Sequence, residues 1–184
     1  MQLCKKLLED YPKACLCTNL HIKGIYNETF NFNDLEDIEN VKNGEHGVVF
    51  FIDEIQNYLN SLQSKQIPLS VIVQLTQARK QRKIIIGTSQ VYSRMAKPLR
   101  EQIRNVVLCH KLFGFIQYNE LIDSIETKED STGKLKPVIK DRFIFFHTPS
   151  LYNSYDTFKV SYGITKKSNQ NNVVVLDNNN YIEM

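Results

Sequence analysis

Two carboxylates, Asp53 and Glu54, stand side by side directly behind the apolar run Val48-Val49-Phe50-Phe51-Ile52. An uninterrupted apolar run rich in β-branched residues predicts a strand buried on both faces. Adjacent acids at the end of such a strand point in different directions and can divide two tasks between them. Asp53 is placed to hold a water on Mg2+, and Glu54 to take a proton from an attacking water. That division suits phosphoryl transfer, where positioning and charge stabilisation dominate. A blander use competes, in which Asp53 is the N-cap of a helix after a buried strand. Further on, Lys83-Ile84-Ile85-Ile86-Gly87-Thr88-Ser89-Gln90 repeats the design. A second apolar strand there ends in hydroxyl and amide groups, which hydrogen-bond phosphate oxygens. Thr88-Ser89-Gln90 taken alone is also an ordinary loop that caps the next helix.

The elements that must hold these groups alternate between helix and strand, the pattern of an α/β domain with a mainly parallel sheet. Met1–Tyr11 has the helical period in Leu3, Leu7 and Leu8 and is ended by Pro12. Ala14–Asn19 reads as a short strand. The polar stretch His21–Gly47 predicts a loop with at most one short helix. A helix is expected from about Glu54, and Pro68 suits the first turn of the next one. Arg79, Lys80, Arg82 and Lys83 then supply cations for that helix's C-terminus. Pro98 opens a further short helix, and Val106–His110 is expected as one more core strand. Phe113–Ile125 and Val138–His147 flank the polar Thr127–Pro137 and predict an appended β-hairpin, with Ser131-Thr132-Gly133-Lys134 as a turn.

A chain of 184 residues with 42% hydrophobic content suits one domain with a real core. Residues 1–165 are assigned to it, and 166–184 form an Asn-rich tail, read as disordered or as one edge strand. The net charge of +3 is too small to define a nucleic-acid partner, although basic residues bunch in Arg79–Lys83 and Arg94–Arg104. The four cysteines form neither a CxxC pair nor a disulfide framework, so reduced thiols and a cytoplasmic setting are expected. No apolar run approaches the roughly 20 residues of a membrane helix.

The strings Phe51-Ile52-Asp53-Glu54-Ile55-Gln56, Leu75-Thr76-Gln77-Ala78-Arg79, Gly87-Thr88-Ser89-Gln90-Val91 and Lys97-Pro98-Leu99-Arg100-Glu101-Gln102 resemble, in this order and spacing, the second half of the FtsK/HerA-type DNA-pumping ATPases. The phage and plasmid branch, with the ATPase domains of zonular-occludens-toxin-like (Zot-like) phage assembly proteins, is the nearest match in pattern. The resemblance runs from Met1 to Phe158 and includes the tyrosine-bearing segment Tyr152–Thr157.

The resemblance implies a RecA-like P-loop NTPase core, with Val48–Glu54 as its Walker B motif. Asp53 and Thr88 would then serve nucleotide and Mg2+, Asp53 through a metal-bound water, with Glu54 the base and Gln90 the γ-phosphate sensor. It further implies ATP as ligand, a homohexameric ring, and double-stranded DNA or phage structural proteins as partners. Arg94, Arg100 and Arg104 are candidates for a finger on a neighbour's nucleotide, because a planar guanidinium pairs with phosphate oxygens. Arg100 could instead pair with Glu101 or Glu54. Aromatics between Phe143 and Phe158 either stack on bases or, more commonly for a hairpin, pack a core.

Nothing in the sequence fits the Walker A loop GxxxxGK[ST] that should precede these strands. On the resemblance, the first strand and the phosphate loop would lie just before Met1. The chain then reads as N-terminally truncated, with a gap in its sheet between Ile84–Thr88 and Val106–His110, and weak or absent ATP binding is expected of it alone. The alternative from another class is a non-catalytic assembly or interaction module that has lost nucleotide binding.

Overall fold

A computed structural model of the chain describes residues 1–59, 67–129 and 135–154. The expected turn Ser131–Lys134, the closing segment past residue 154 and the tail 166–184 lie outside the described residues.

Helix α1 (Gln2–Asp10) buries Cys4 and Leu8 and ends ahead of Pro12. The first sheet contains β1 (Cys15–Thr18), β2 (Thr29–Asn31), β3 (Val48–Ile52) and β4 (Lys83–Gly87). Its four strands are all parallel, in the order β2-β1-β3-β4. Between them run α2 (Asp37–Asn40) and α3 (Leu69–Gln77), and α4 (Lys97–Arg100) follows β4.

Every residue of β3 is buried, as its unbroken apolar run requires. Alternation along the strand sends Val48, Phe50 and Ile52 to one face, where they meet Cys15, Cys17, Ile38 of α2 and Leu99 of α4. Ile72 and Leu75 of α3 pack against the same cluster. Val49 and Phe51 go to the other face and meet Cys4, Leu8 and Leu16. Helices therefore cover both faces of the sheet. Phe50 is fully enclosed, and truncating such a side chain to alanine costs about 3–5 kcal/mol.

Four expectations are corrected. The stretch His21–Gly47 holds a strand as well as a helix: β2 is only three residues long, and its exposed side chains give it no apolar signal. After Glu54 the described chain makes a single 3-10 turn, Ile55–Asn57. Helix α3 stops at Gln77 with no basic residue in its last turn. Lys83 is instead the first, buried residue of β4, and its Nζ donates to the carbonyls of Ile38 (2.6 Å) and Glu39 (3.4 Å) at the end of α2. Burial lowers its pKa below the ordinary lysine value, Lys42 adds to the effect and Glu39 opposes it.

The fourth correction concerns Val106–His110, which belongs to a separate antiparallel sheet. This sheet has the order β5-β6-β7, made of β5 (Asn105–Leu112), β6 (Ile116–Glu129) and β7 (Leu135–Phe146). Phe113 and Gly114 both adopt positive φ, 48° and 80°, in the connection after β5. A turn this short returns the chain antiparallel, with Leu112 opposite Ile116. The β6–β7 pairing is the expected hairpin. Its aromatics do not form a core, because Phe143 and Phe146 are exposed and Phe145 stacks on the His147 ring. The short helix α5 (Pro149–Tyr152) follows. Among the described residues no helix is long and apolar enough to cross a membrane.

Candidate functional site

β1, β3 and β4 are consecutive neighbours that end together, with Thr18 opposite Phe51 and Ile52 opposite Gly87. Their carboxyl ends bring Asn19, Asp53 and Thr88 to one edge of the sheet. In open α/β sheets that edge is where ligands bind.

Thr88 staples the turn that leaves β3. Its backbone N–H donates to the Ile52 carbonyl (3.0 Å), and its own carbonyl accepts from the Ile55 N–H (3.0 Å). Its hydroxyl accepts from the Glu54 N–H at 3.0 Å and donates to Asp53 Oδ1. The helix-cap use of Asp53 is not what the chain does. The 3-10 turn begins at Ile55, Glu54 holds the cap position, and no side chain caps it.

Glu54 has φ 49° and ψ 49°, in the left-handed region. For a residue with a Cβ this costs about 1–2 kcal/mol, and it persists where surrounding bonds over-determine the turn. Here it sends the Glu54 carboxylate to Gln90, whose Nε2 donates to Oε1 at 2.8 Å, and to Asn57, whose Nδ2 donates to Oε2 at 3.1 Å. The two acids thus have separate environments, Asp53 on a hydroxyl and Glu54 on two amides.

Gly87 lets the turn close. A Cβ at this position would lie 2.8 Å from both Cδ1 and Cγ2 of Ile55 and 3.1 Å from its Cβ. Only glycine allows the Ile55 side chain to settle over the end of β4, and Ile55 anchors the turn in the core beside Ile52.

On the other side of Asp53 stands Asn19, which the sequence reading passed over. Asn19 Oδ1 accepts the Asp53 N–H at 2.8 Å, and its Nδ2 donates to the Asp53 carbonyl at 2.9 Å and to the Tyr58 hydroxyl at 3.3 Å. Asn57 was also missed. Their only sequence signal is an amide residue at a strand end or one turn past the acids, which points to the site only once β1 is known to lie beside β3.

The sequence-proposed residues divide into two sets. Asp53, Glu54, Thr88 and Gln90 form one hydrogen-bonded group. Of the arginines, Arg100 is engaged elsewhere. Arg100 lies over the Tyr92 ring, 5.8 Å from its centroid, and Glu101 pairs with Lys97 at 4.0 Å. Arg100 is half-buried and its Nε has no hydrogen-bond partner, while Arg94 is exposed.

Hard oxygen donors from a carboxylate and a hydroxyl fit Mg2+, which keeps several waters and takes one or two carboxylates. Glu54 and Gln90 fit the handling of an attacking water. The phosphate half of a nucleotide site is a different matter, because no GxxxxGK[ST] loop occurs in the sequence.

A parallel sheet with its acids at the carboxyl edge, helices on both faces and an antiparallel sheet beyond make this an α/β protein with the fold of the phage-type P-loop ATPases. The chain is similar in structure to the N-terminal domain of zonular occludens toxin from Neisseria meningitidis, with a TM-score of 0.50 and 14% identity, over 78% of this chain and 80% of that one. It is also similar to the genome packaging NTPase B204 of Sulfolobus turreted icosahedral virus 2, solved in complex with ATP-gammaS, with a TM-score of 0.48 and 11% identity, over 72% of this chain and 84% of that one. No protein-family model matches the chain, and no curated protein matches it.

Proposed function

We propose that this chain is the Walker B and sensor portion of an ATPase of a phage or mobile element. In the working protein, ATP hydrolysis would move double-stranded DNA or a phage structural protein through a homohexameric ring. One observation carries the reading: Asp53, Glu54, Thr88 and Gln90 meet in a single hydrogen-bonded group at the carboxyl edge of adjacent parallel strands. Mg2+ would lie on Asp53 and Thr88 through water and supply charge stabilisation at the phosphates. Glu54 holds the position of a base, and Gln90, already bonded to it, is placed to orient the attacking water. Arg94 and Arg100 are the candidates for a finger reaching a neighbouring subunit, and Arg94 is the more available because Arg100 is engaged with Tyr92.

The test uses two proteins, chain 1–184 and a version extended upstream to include a GxxxxGK[ST] loop. Calorimetric titration with Mg-ATP is expected to give weak or no binding to the first and tight binding to the second. The extended version should form rings by light scattering. Its ATPase should rise with double-stranded DNA in a salt-sensitive way, because phosphate contacts release counterions. An extended protein that stays monomeric and is indifferent to ATP and DNA would favour the assembly or interaction module. The absence of a phosphate loop from the sequence is the observation on that side.

A further inference from the structure

The backbone ladder between β1 and β3 stops at Thr18 and Phe51, yet Asp53 is held from the β1 side as firmly as from the β4 side. The Asn19 side chain does this by imitating a peptide group. It accepts the Asp53 N–H at 2.8 Å and donates to the Asp53 carbonyl at 2.9 Å, so one side chain satisfies both backbone groups of one residue. Asn19 is itself fixed. The Thr18 hydroxyl accepts the Leu20 N–H at 3.1 Å just beyond β1, and Nδ2 also reaches the Tyr58 hydroxyl. Tyr58 in turn packs edge-on against Phe32, with ring centroids 5.1 Å apart.

The turn at Asp53–Glu54 is therefore gripped between Asn19 and Thr88. Glu54 takes its left-handed conformation immediately after the residue that Asn19 holds. We propose that Asn19 is a positioning residue that sets the Asp53 peptide, and through it the aim of the Glu54 carboxylate at Gln90. The role in catalysis rests on the phosphoryl-transfer reading. The grip itself does not.

Amide hydrogen exchange and side-chain amide resonances, read by NMR on chain 1–184, test the grip without any ligand. Asn19→Ala should raise exchange at the Asp53 amide at least tenfold and shift the Gln90 side-chain resonances, while ladder amides within β3 and β4 keep their protection. Asn19→Asp keeps the shape and the acceptor and loses the donor. It should give a smaller rise at Asp53 with the Gln90 shift retained, and it serves if the alanine variant fails to fold. Parent-like exchange at Asp53 and parent-like Gln90 resonances in a folded variant would overturn the proposal.

In a loop-bearing version, Asn19→Ala should lower kcat about tenfold with nucleotide Kd unchanged, a split that a merely structural loss would not give. An equal fall in affinity and turnover would overturn the positioning role. A loop-bearing parent that hydrolyses no ATP while the NMR result holds counts against the phosphoryl-transfer reading alone.

Discussion

Gln90 Nε2 and Glu54 Oε1 lie 2.8 Å apart although 36 residues separate them in the sequence. The sensor and base candidates are in direct contact. A glutamine that donates to the base carboxylate holds it in one orientation, and a γ-phosphate competing for the same amide would change that orientation.

In a loop-bearing version, Glu54→Gln should therefore abolish most hydrolysis and spare nucleotide binding. General-base removal lowers rates by about 10²–10⁴-fold. Asp53→Asn should act differently, weakening the Mg2+ dependence of binding. Steady-state rates measured beside nucleotide affinities distinguish the two, and a Glu54→Gln variant as fast as its parent would show that the base lies elsewhere.

Thr88→Val keeps the shape and removes the hydroxyl that serves both Glu54 and Asp53. Leaving a half-buried N–H and a carboxylate without this partner should cost about 1–3 kcal/mol. Thr88→Ser should recover most of it. Urea unfolding of the three proteins gives the comparison, and equal midpoints for the parent and the valine variant would refute the staple.

Gly87→Ala should destabilise by about 1–3 kcal/mol, since the added methyl meets Ile55 at 2.8 Å. The partner is identifiable, so a double-mutant cycle with Ile55→Ala should show a strong favourable coupling. Additive losses would mean that the contact is relieved in some other way.

The thiols set the alkaline behaviour. Burial raises the pKa of Cys4 to about 11 and that of Cys17 to about 12, against a reference of 9.0. Both groups stay protonated in the folded chain after they would ionise in the unfolded one. Their contribution is complete below pH 9.0 and is lost as pH rises toward those folded values, at about 1.4 kcal/mol per pH unit for each thiol. Lys83 has the opposite sign. Its lowered pKa makes the folded state more favourable as pH rises through the range below 10.5. Comparing the pH slopes of Cys4→Ala and Cys17→Ala with the parent isolates the thiols, and a slope unchanged by either substitution would contradict the assignment. In the folded protein Cys109, the exposed cysteine, should react first with a thiol reagent.

How much was legible follows from what each element needed. β3 and β4 could be read because a strand buried on both faces has to be apolar without interruption, and the acids, hydroxyl and amide at their ends carried the chemistry. β2 could not be read, since a short edge strand with exposed side chains has no pattern to find. Val106–His110 misled because its apolar residues look the same in either sheet, and the left-handed pair Phe113-Gly114, which turns β5 back onto β6, carries no apolar period. Asn19 was hidden for another reason: its importance lies in the spatial order β1-β3-β4, which composition and period do not encode. Lys83 was misplaced because a cation after a helix fits the dipole rule, whereas its real partners are carbonyls at the end of a different helix, α2.

β4 closes the parallel sheet, and among the described residues nothing pairs with its outer side. Its consecutive isoleucines are only partly covered, with Ile84 41% exposed. An apolar strand with free backbone donors and acceptors is a template for another chain's extended segment, and it has no charged residue within the Ile84–Ile86 run to discourage one. This edge should therefore favour association between copies of the chain. Self-association should grow with protein concentration, so measurements meant to report on single molecules belong in dilute solution.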